Sequence, residues 1–171
     1  MSVALRVAPL VFVVAVIQVA AISGMRILGA EPDLLLVTIV VVGIVAGSIT
    51  GAAAGFAAGV LVDVMTLGVL GTTSILFTLA GYWAGRYGET TGRGRRYAAP
   101  LAAFAISAAA GVGGVALHFL LGQQVSAREA LVTLVPTALV AALVALPLHR
   151  LCRALIGPGY RYEEPRRMEL A

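Results

Sequence analysis

Few side chains in this 171-residue sequence could take part in catalysis, and they are widely spaced. The histidines, His118 and His149, lie in different apolar segments, and the single cysteine, Cys152, excludes an intrachain disulfide and a cysteine-rich metal site. The sequence contains none of the motifs of zinc proteases, dithiol redox proteins, serine hydrolases or phosphate-binding loops. We therefore expect that the protein is not an enzyme and binds neither a metal nor a cofactor.

One carboxylate, Asp63, stands out because it ends a charge-free run that covers residues 34–62. A carboxylate near a membrane is costly unless it is paired, hydrated or hydrogen-bonded to a helix end. Asp63 could cap the turn before the next helix, form an ion pair with Arg26 or Arg128, or receive a partner or ligand. The residues leave these three roles open.

Glycines recur at every fourth residue in the middle of the sequence, at positions 43 to 59 and again at 81 and 85. In lipid, such rows of small residues allow helix backbones to approach closely. The row could serve packing inside the protein or contact with another protein. The candidate packing or partner residues are Gly43, Gly47, Gly51, Gly55, Gly59, Asp63, Gly71, Gly81 and Tyr82.

Composition shows the environment in which these residues must be held. Apolar residues make up 60% of the chain and charged residues 12%, with a mean hydropathy of +1.00, which predicts a membrane protein. The net charge of +4 comes from arginines that flank apolar segments, without the interleaved aromatic residues that stack on bases. Nucleic acid is therefore not an expected partner, whereas membrane lipids are.

Six apolar segments predict an all-α, polytopic bundle of about six transmembrane helices. The predicted helices cover residues 7–25, 34–46, 52–62, 72–84, 98–121 and 130–148. Together they form a transmembrane domain over residues 1–156, followed by a polar, mobile cytoplasmic tail over residues 157–171. The first segment also fits a cleaved signal peptide, although its apolar part is long for one.

The charge pattern predicts the path of the chain. Asp33, after Pro32, is expected to cap the second helix, and the glycine-bracketed residues 47–51 to form a tight turn. Six crossings then place both termini and ten of the arginines in the cytoplasm, as the positive-inside rule requires. The predicted cytoplasmic basic patch, which could contact either a partner protein or anionic lipid, consists of Arg86, Arg93, Arg95 and Arg96.

The stretch from Gly59 to Tyr82 resembles the central signature of the MreD family of rod-shape-determining membrane proteins. The shared features are the acid at Asp63, the Leu70-Gly71 pair that follows it, and a helix that ends in Gly81-Tyr82. Upstream, Pro32-Asp33 before a leucine-rich helix resembles the start of the second helix in that family. Size, helix count and the basic tail agree as well, whereas the alanine-rich composition departs from more aromatic members.

The resemblance implies a non-enzymatic scaffold of the cell-elongation complex in the bacterial cytoplasmic membrane, which supports lateral peptidoglycan synthesis. Its implied partners are MreC first, then MreB, RodA and a penicillin-binding protein, and a homo-oligomer is compatible with it. We expect MreC to pack against the glycine-lined surface, with polar contacts from the turn around Asp63.

The MreD family is also similar in architecture to the S-components of energy-coupling-factor transporters. This similarity supplies the alternative function, a subunit that binds a vitamin for transport. Such a subunit would need a polar pocket, for which Gln18, Asp63 and His118 are the available side chains.

Overall fold

The computed structural model describes residues 3–18, 20, 33–67, 69–91, 98–122 and 127–156, and all regular structure within these ranges is helical. The expected all-α architecture is therefore confirmed for this part of the chain. The helices are α1 (Val3–Ile17), α2 (Leu34–Ala46), α3 (Ser48–Met65), α4 (Thr72–Thr91), α5 (Ala98–Leu120) and α6 (Ala127–Ile156). The tail at residues 157–171 and the end of the predicted first helix lie outside the described residues.

The predicted bounds of α2 are confirmed, whereas α4 and α6 are longer than predicted. Charged residues from Arg86 onward were expected to end α4, but the helix continues to Thr91 because they lie on its surface and remain compatible with helical backbone. Pro136 and Pro147 lie inside α6 and do not end it. Membrane helices tolerate internal proline where neighbouring groups satisfy the freed carbonyls.

Helix α2 forms the centre of the bundle. It is apolar on every side, as expected for a fully enclosed helix, and it contacts each of the other five helices described. Leu35, Ile39, Val40 and Ile44 have no exposed surface. The core therefore surrounds one short helix of 13 residues.

Two polar side chains hold the start of α2. The carboxylate of Asp33 accepts a hydrogen bond from the backbone N–H of Leu36 at 2.9 Å, which confirms the predicted cap. The side-chain oxygen of Gln18, beyond the end of α1, accepts from the N–H of Leu34 at 3.0 Å. Burial raises the pKa of Asp33 above its ordinary value, and the hydrogen bond from Leu36 opposes that shift.

The chain reverses direction at a single residue, Gly47, which has a φ of 99°. Helix α2 then runs parallel to α4, because Ile39 lies beside Gly81 and Ile44 beside Gly88. The predicted five-residue turn at 47–51 is wrong in extent, since the residues after Gly47 already form the first turn of α3. Glycine adopts positive φ without the clash that other residues meet, which permits so short a connection.

Within the described ranges, three helical segments are long and apolar enough to cross a membrane: Ser48–Met65, Ala99–Leu117 and Val132–Ala154. Two further apolar helical segments, Val7–Ile17 and Leu34–Ala46, are shorter. Length and composition thus support a membrane protein. The count of six crossings remains a prediction.

Candidate functional site

The hairpin of α3 and α4 contains the signature residues of the sequence, and its two helices meet at their glycines. A Cβ atom on Gly55 would overlap the carbonyl oxygen of Phe77, and one on Gly59 would overlap the backbone of Ser74. A Cβ atom on Gly81 would likewise overlap the carbonyl oxygen of Gly51. The glycine row therefore brings two helix backbones into direct contact, as small-residue rows do in lipid.

Helix α2 joins this contact from the side. A Cβ atom on Gly43 would lie 2.6 Å from the carbonyl oxygen of Gly81, and one on Gly88 would lie 2.8 Å from that of Ile44. Gly47 is also buried, at the turn between α2 and α3. Of the two roles expected for the glycine row, the structure shows internal packing. A partner helix cannot pack against it, because α2, α3 and α4 cover it with one another.

Asp63, at the end of α3, binds the start of α4 and is only 3% exposed. One carboxylate oxygen accepts a hydrogen bond from the N–H of Gly71 at 2.8 Å and is 3.5 Å from the hydroxyl of Ser74. The other accepts from the N–H of Thr73 at 3.3 Å. A carboxylate at this place satisfies N–H groups that lack a partner within the helix and interacts favourably with the helix dipole.

Of the three roles considered for Asp63, the structure shows capping of the start of α4. The side chains of Arg26 and Arg128, the two candidate ion-pair partners, lie outside the described residues. Contact with a partner or ligand would require Asp63 to give up these hydrogen bonds, because both carboxylate oxygens already face the start of α4.

Gly71 explains the Leu70-Gly71 pair of the signature. Its φ of 97° lies in the left-handed region that favours glycine. This conformation directs its N–H toward Asp63, eight residues earlier in the chain. The signature residues at 63 and 71 therefore form one capping unit.

A second carboxylate, Glu89, does the same at the opposite end of the hairpin. One of its oxygens accepts hydrogen bonds from the backbone N–H of Ser48 at 2.9 Å and from the Ser48 hydroxyl at 3.0 Å. Each helix of the hairpin thus ends in an acid that caps the start of the other. Glu89 was not among the residues singled out from the sequence, because the predicted fourth helix ended before it, at residue 84. Ser48, a residue type favoured at helix starts and directly after Gly47, was the available indication.

Replacing Glu89 with alanine is expected to destabilise the folded protein by about 1 kcal/mol, because the N–H of Ser48 loses its acceptor. Glu89→Gln retains a side-chain oxygen at this place and should lose much less. Thermal unfolding in detergent would measure both, with a fall in Tm of about 2–4 °C expected for the alanine variant. Equal melting temperatures for the two variants would contradict the capping role.

Near Glu89 lies the described part of the predicted basic patch. The Arg86 side chain is 54% exposed and lies 3.5 Å from the second oxygen of Glu89, a surface pair that adds little stability. Tyr82 and Trp83, one turn earlier, are exposed and stack edge to face with ring centres 5.8 Å apart. The rest of the patch, Arg93, Arg95 and Arg96, lies outside the described residues.

The other polar residues singled out by the sequence do not converge with the hairpin carboxylates in the described ranges. His149 and Cys152 are buried on α6, and the side chain of His118 lies outside the described residues. Within the described ranges, no group of three or more His, Cys, Asp or Glu residues could hold a metal ion. The site formed by the hairpin is therefore a structural junction of helix ends and helix backbones.

The chain matches a known protein family along most of its length. The family model described as rod shape-determining protein MreD matches residues 2–157. No curated protein and no solved structure matches this chain. The match covers all six helices, including the hairpin whose glycines and Asp63 form the signature, and the chain therefore belongs to the MreD family.

Proposed function

We propose that this protein is a non-enzymatic scaffold of the bacterial cell-elongation complex, which binds MreC in the cytoplasmic membrane and supports lateral peptidoglycan synthesis. The observation that carries the proposal is the family match over residues 2–157. A rod-shape protein that lies in the membrane must act there through the proteins or lipids that it contacts. MreC is the first of these partners, followed by MreB, RodA and a penicillin-binding protein.

The uses of three polar side chains support a scaffold. Asp63, Glu89 and Gln18, the side chains that a pocket or catalytic site would draw on, instead accept hydrogen bonds from the starts of α4, α3 and α2. These contacts fix helix ends relative to one another. A rigid bundle presents a constant outer surface to a partner, which is what a scaffold requires.

The surface for MreC must lie elsewhere than on the glycine row, which is covered. Large apolar side chains point outward from several helices and provide alternatives. They include Phe12 on α1, Phe56 on α3, Phe104 on α5 and Leu143 on α6. We propose that a transmembrane helix of MreC packs on one of these outward faces.

We further propose six crossings with both termini in the cytoplasm. In support, Leu76 near the start of α4 and Leu134 near the start of α6 pack on the same part of α5, so α4 and α6 begin at the same end of the bundle. Arg86 and Arg153 then lie toward the other, common end. This arrangement fits the positive-inside rule, and reporter fusions at both termini would test it.

Site-specific photo-crosslinking in native membranes tests the partner. A photoreactive amino acid would replace Phe12, Phe56, Phe104 or Leu143, each of which is exposed. We expect an adduct with MreC from one face, while the positions on the other faces serve as matched controls. Depleting the protein should also turn rod-shaped cells round.

Absence of an MreC adduct at every position, with normal insertion and expression, would contradict the scaffold proposal. Saturable binding of a vitamin by the purified protein would instead favour the transporter alternative. The two results separate the candidate functions, because one depends on a protein partner and the other on a small molecule.

A further inference from the structure

We propose that the turn between α3 and α4, formed by residues 66, 67 and 69–71, inserts into the hydrocarbon of the bilayer leaflet at its end of the bundle. It would then not project into water as an ordinary connecting turn does. The proposal does not depend on which partner the protein binds.

The turn exposes large apolar side chains. Leu67 is 93% exposed, Leu70 is 70% exposed and Val69 is 51% exposed. These residues continue the outward apolar faces of the two helices, where Val60 and Ile75 are exposed. Because the hairpin contains one of the segments apolar enough to cross a membrane, Ser48–Met65, the turn extends a lipid-facing surface.

Several polar groups in this turn have partners within the protein, which lowers the cost of placing them in hydrocarbon. The hydroxyl of Thr66 donates to the carbonyl oxygen of Val62 at 2.8 Å, and the N–H of Thr66 donates to the same oxygen at 2.9 Å. The N–H of Gly71 donates to Asp63, and that of Thr72 donates to the carbonyl oxygen of Val69. Insertion of the turn would leave none of these groups without a hydrogen bond.

The length of the hairpin gives the second, independent argument. The Glu89–Ser48 hydrogen bond marks one end and Asp63 marks the other. At about 1.5 Å per residue, α3 rises only about 22 Å from Ser48 to Asp63. The hydrocarbon core of a bilayer is about 30 Å thick, so roughly 8 Å of its thickness lies beyond Asp63. The turn extends into this remaining layer. Along α4, Trp83 is closer to the turn than Glu89 is. If Trp83 lies at the opposite interface in place of Glu89, the turn therefore lies deeper in the hydrocarbon.

The backbone of Leu67 agrees with this placement. Its φ of 52° lies in the left-handed region, which disfavours a residue such as leucine because its Cβ atom approaches a backbone carbonyl oxygen. In water, asparagine or glycine would suit this conformation better than leucine does. An almost fully exposed leucine side chain in this conformation is favoured when hydrocarbon, and not water, surrounds it.

Depth-dependent fluorescence quenching in liposomes tests the proposal. The parent protein would carry Cys152→Ala, which removes the only cysteine. Single cysteines at Leu67, at lipid-exposed Leu79 or at exposed Thr90 would be labelled with an environment-sensitive fluorophore. At residue 67, we expect nitroxides on lipid acyl chains to quench the label at least twofold more than iodide in the water does. The label at residue 79 should show the same preference. The label at 90, at the far end of α4, should show the reverse preference.

Iodide quenching at residue 67 equal to that at residue 90, without quenching by acyl-chain nitroxides, would overturn the proposal. A substitution at Leu67, which has a positive φ, could disturb the turn. Leu70→Cys therefore provides a second labelling position, at a residue that is 70% exposed. Each variant must keep the melting temperature of its parent in detergent. Water exposure at residue 70 in a stable variant would equally refute membrane insertion.

Discussion

Gly55→Ala is expected to destabilise the protein by about 2 kcal/mol or more, although alanine favours helix over glycine by about 1 kcal/mol. The added methyl group would overlap the carbonyl oxygen of Phe77, a backbone atom that cannot move without separating α3 from α4. Thermal unfolding in detergent, followed by the monodisperse fraction on size exclusion, would measure the loss. Gly55→Leu should leave no folded fraction.

Gly111→Ala is the matched control for this prediction. A Cβ atom there would lie 3.4 Å from the side chain of Leu134, a flexible group that can shift slightly. The variant should therefore be as stable as the parent or slightly more stable, because only the gain in helix propensity remains. Equal melting temperatures for the variants at 55 and 111 would show that α3 and α4 do not meet at their glycines.

Asp63→Ala is expected to destabilise the protein by about 3–5 kcal/mol, because it leaves several donors at the start of α4 without an acceptor in a buried place. These donors are the backbone N–H groups of Gly71 and Thr73 and the hydroxyl of Ser74. The measurement is the melting temperature in detergent, together with protease susceptibility of the turn. The loss should exceed that of Glu89→Ala, because Asp63 is more fully buried.

Asp63→Asn separates the charge from the shape of this side chain. Asparagine keeps one carbonyl oxygen for the N–H of Gly71 but directs an N–H₂ group toward the remaining donors, so an intermediate loss is expected. An alanine variant that is as stable as the parent would mean that water or another group can replace the carboxylate. The turn would then owe its conformation to Gly71 instead.

The sequence was sufficient where the determinants are local. The bounds of α2 followed from Asp33 at one end and Gly47 at the other, because a capping residue and a chain-reversing glycine act within one helical turn. The family signature was also recognised from the sequence, and the structure shows the roles of its residues. In one hairpin, the residues between 59 and 81 include glycines that let α3 and α4 approach closely and the buried capping residue Asp63. They also include Gly71, which adopts the left-handed conformation in the turn.

Long-range pairings could not be read from the sequence. Glu89 and Ser48 are separated by 41 residues, and their contact depends on the register between α3 and α4. The same register decides that the glycine row faces inward. Glycine spacing alone identifies a face suited to close packing but does not identify what packs on it.

The enclosure of α2 has a consequence for biogenesis. This helix is synthesised before α5 and α6, which form part of its surroundings in the bundle. Its final neighbours are therefore absent when it enters the membrane, and lipid or an insertion factor must occupy their places in the meantime. Synthesis of α6 thus completes the enclosure of α2, so a chain truncated before α6 should be degraded rapidly.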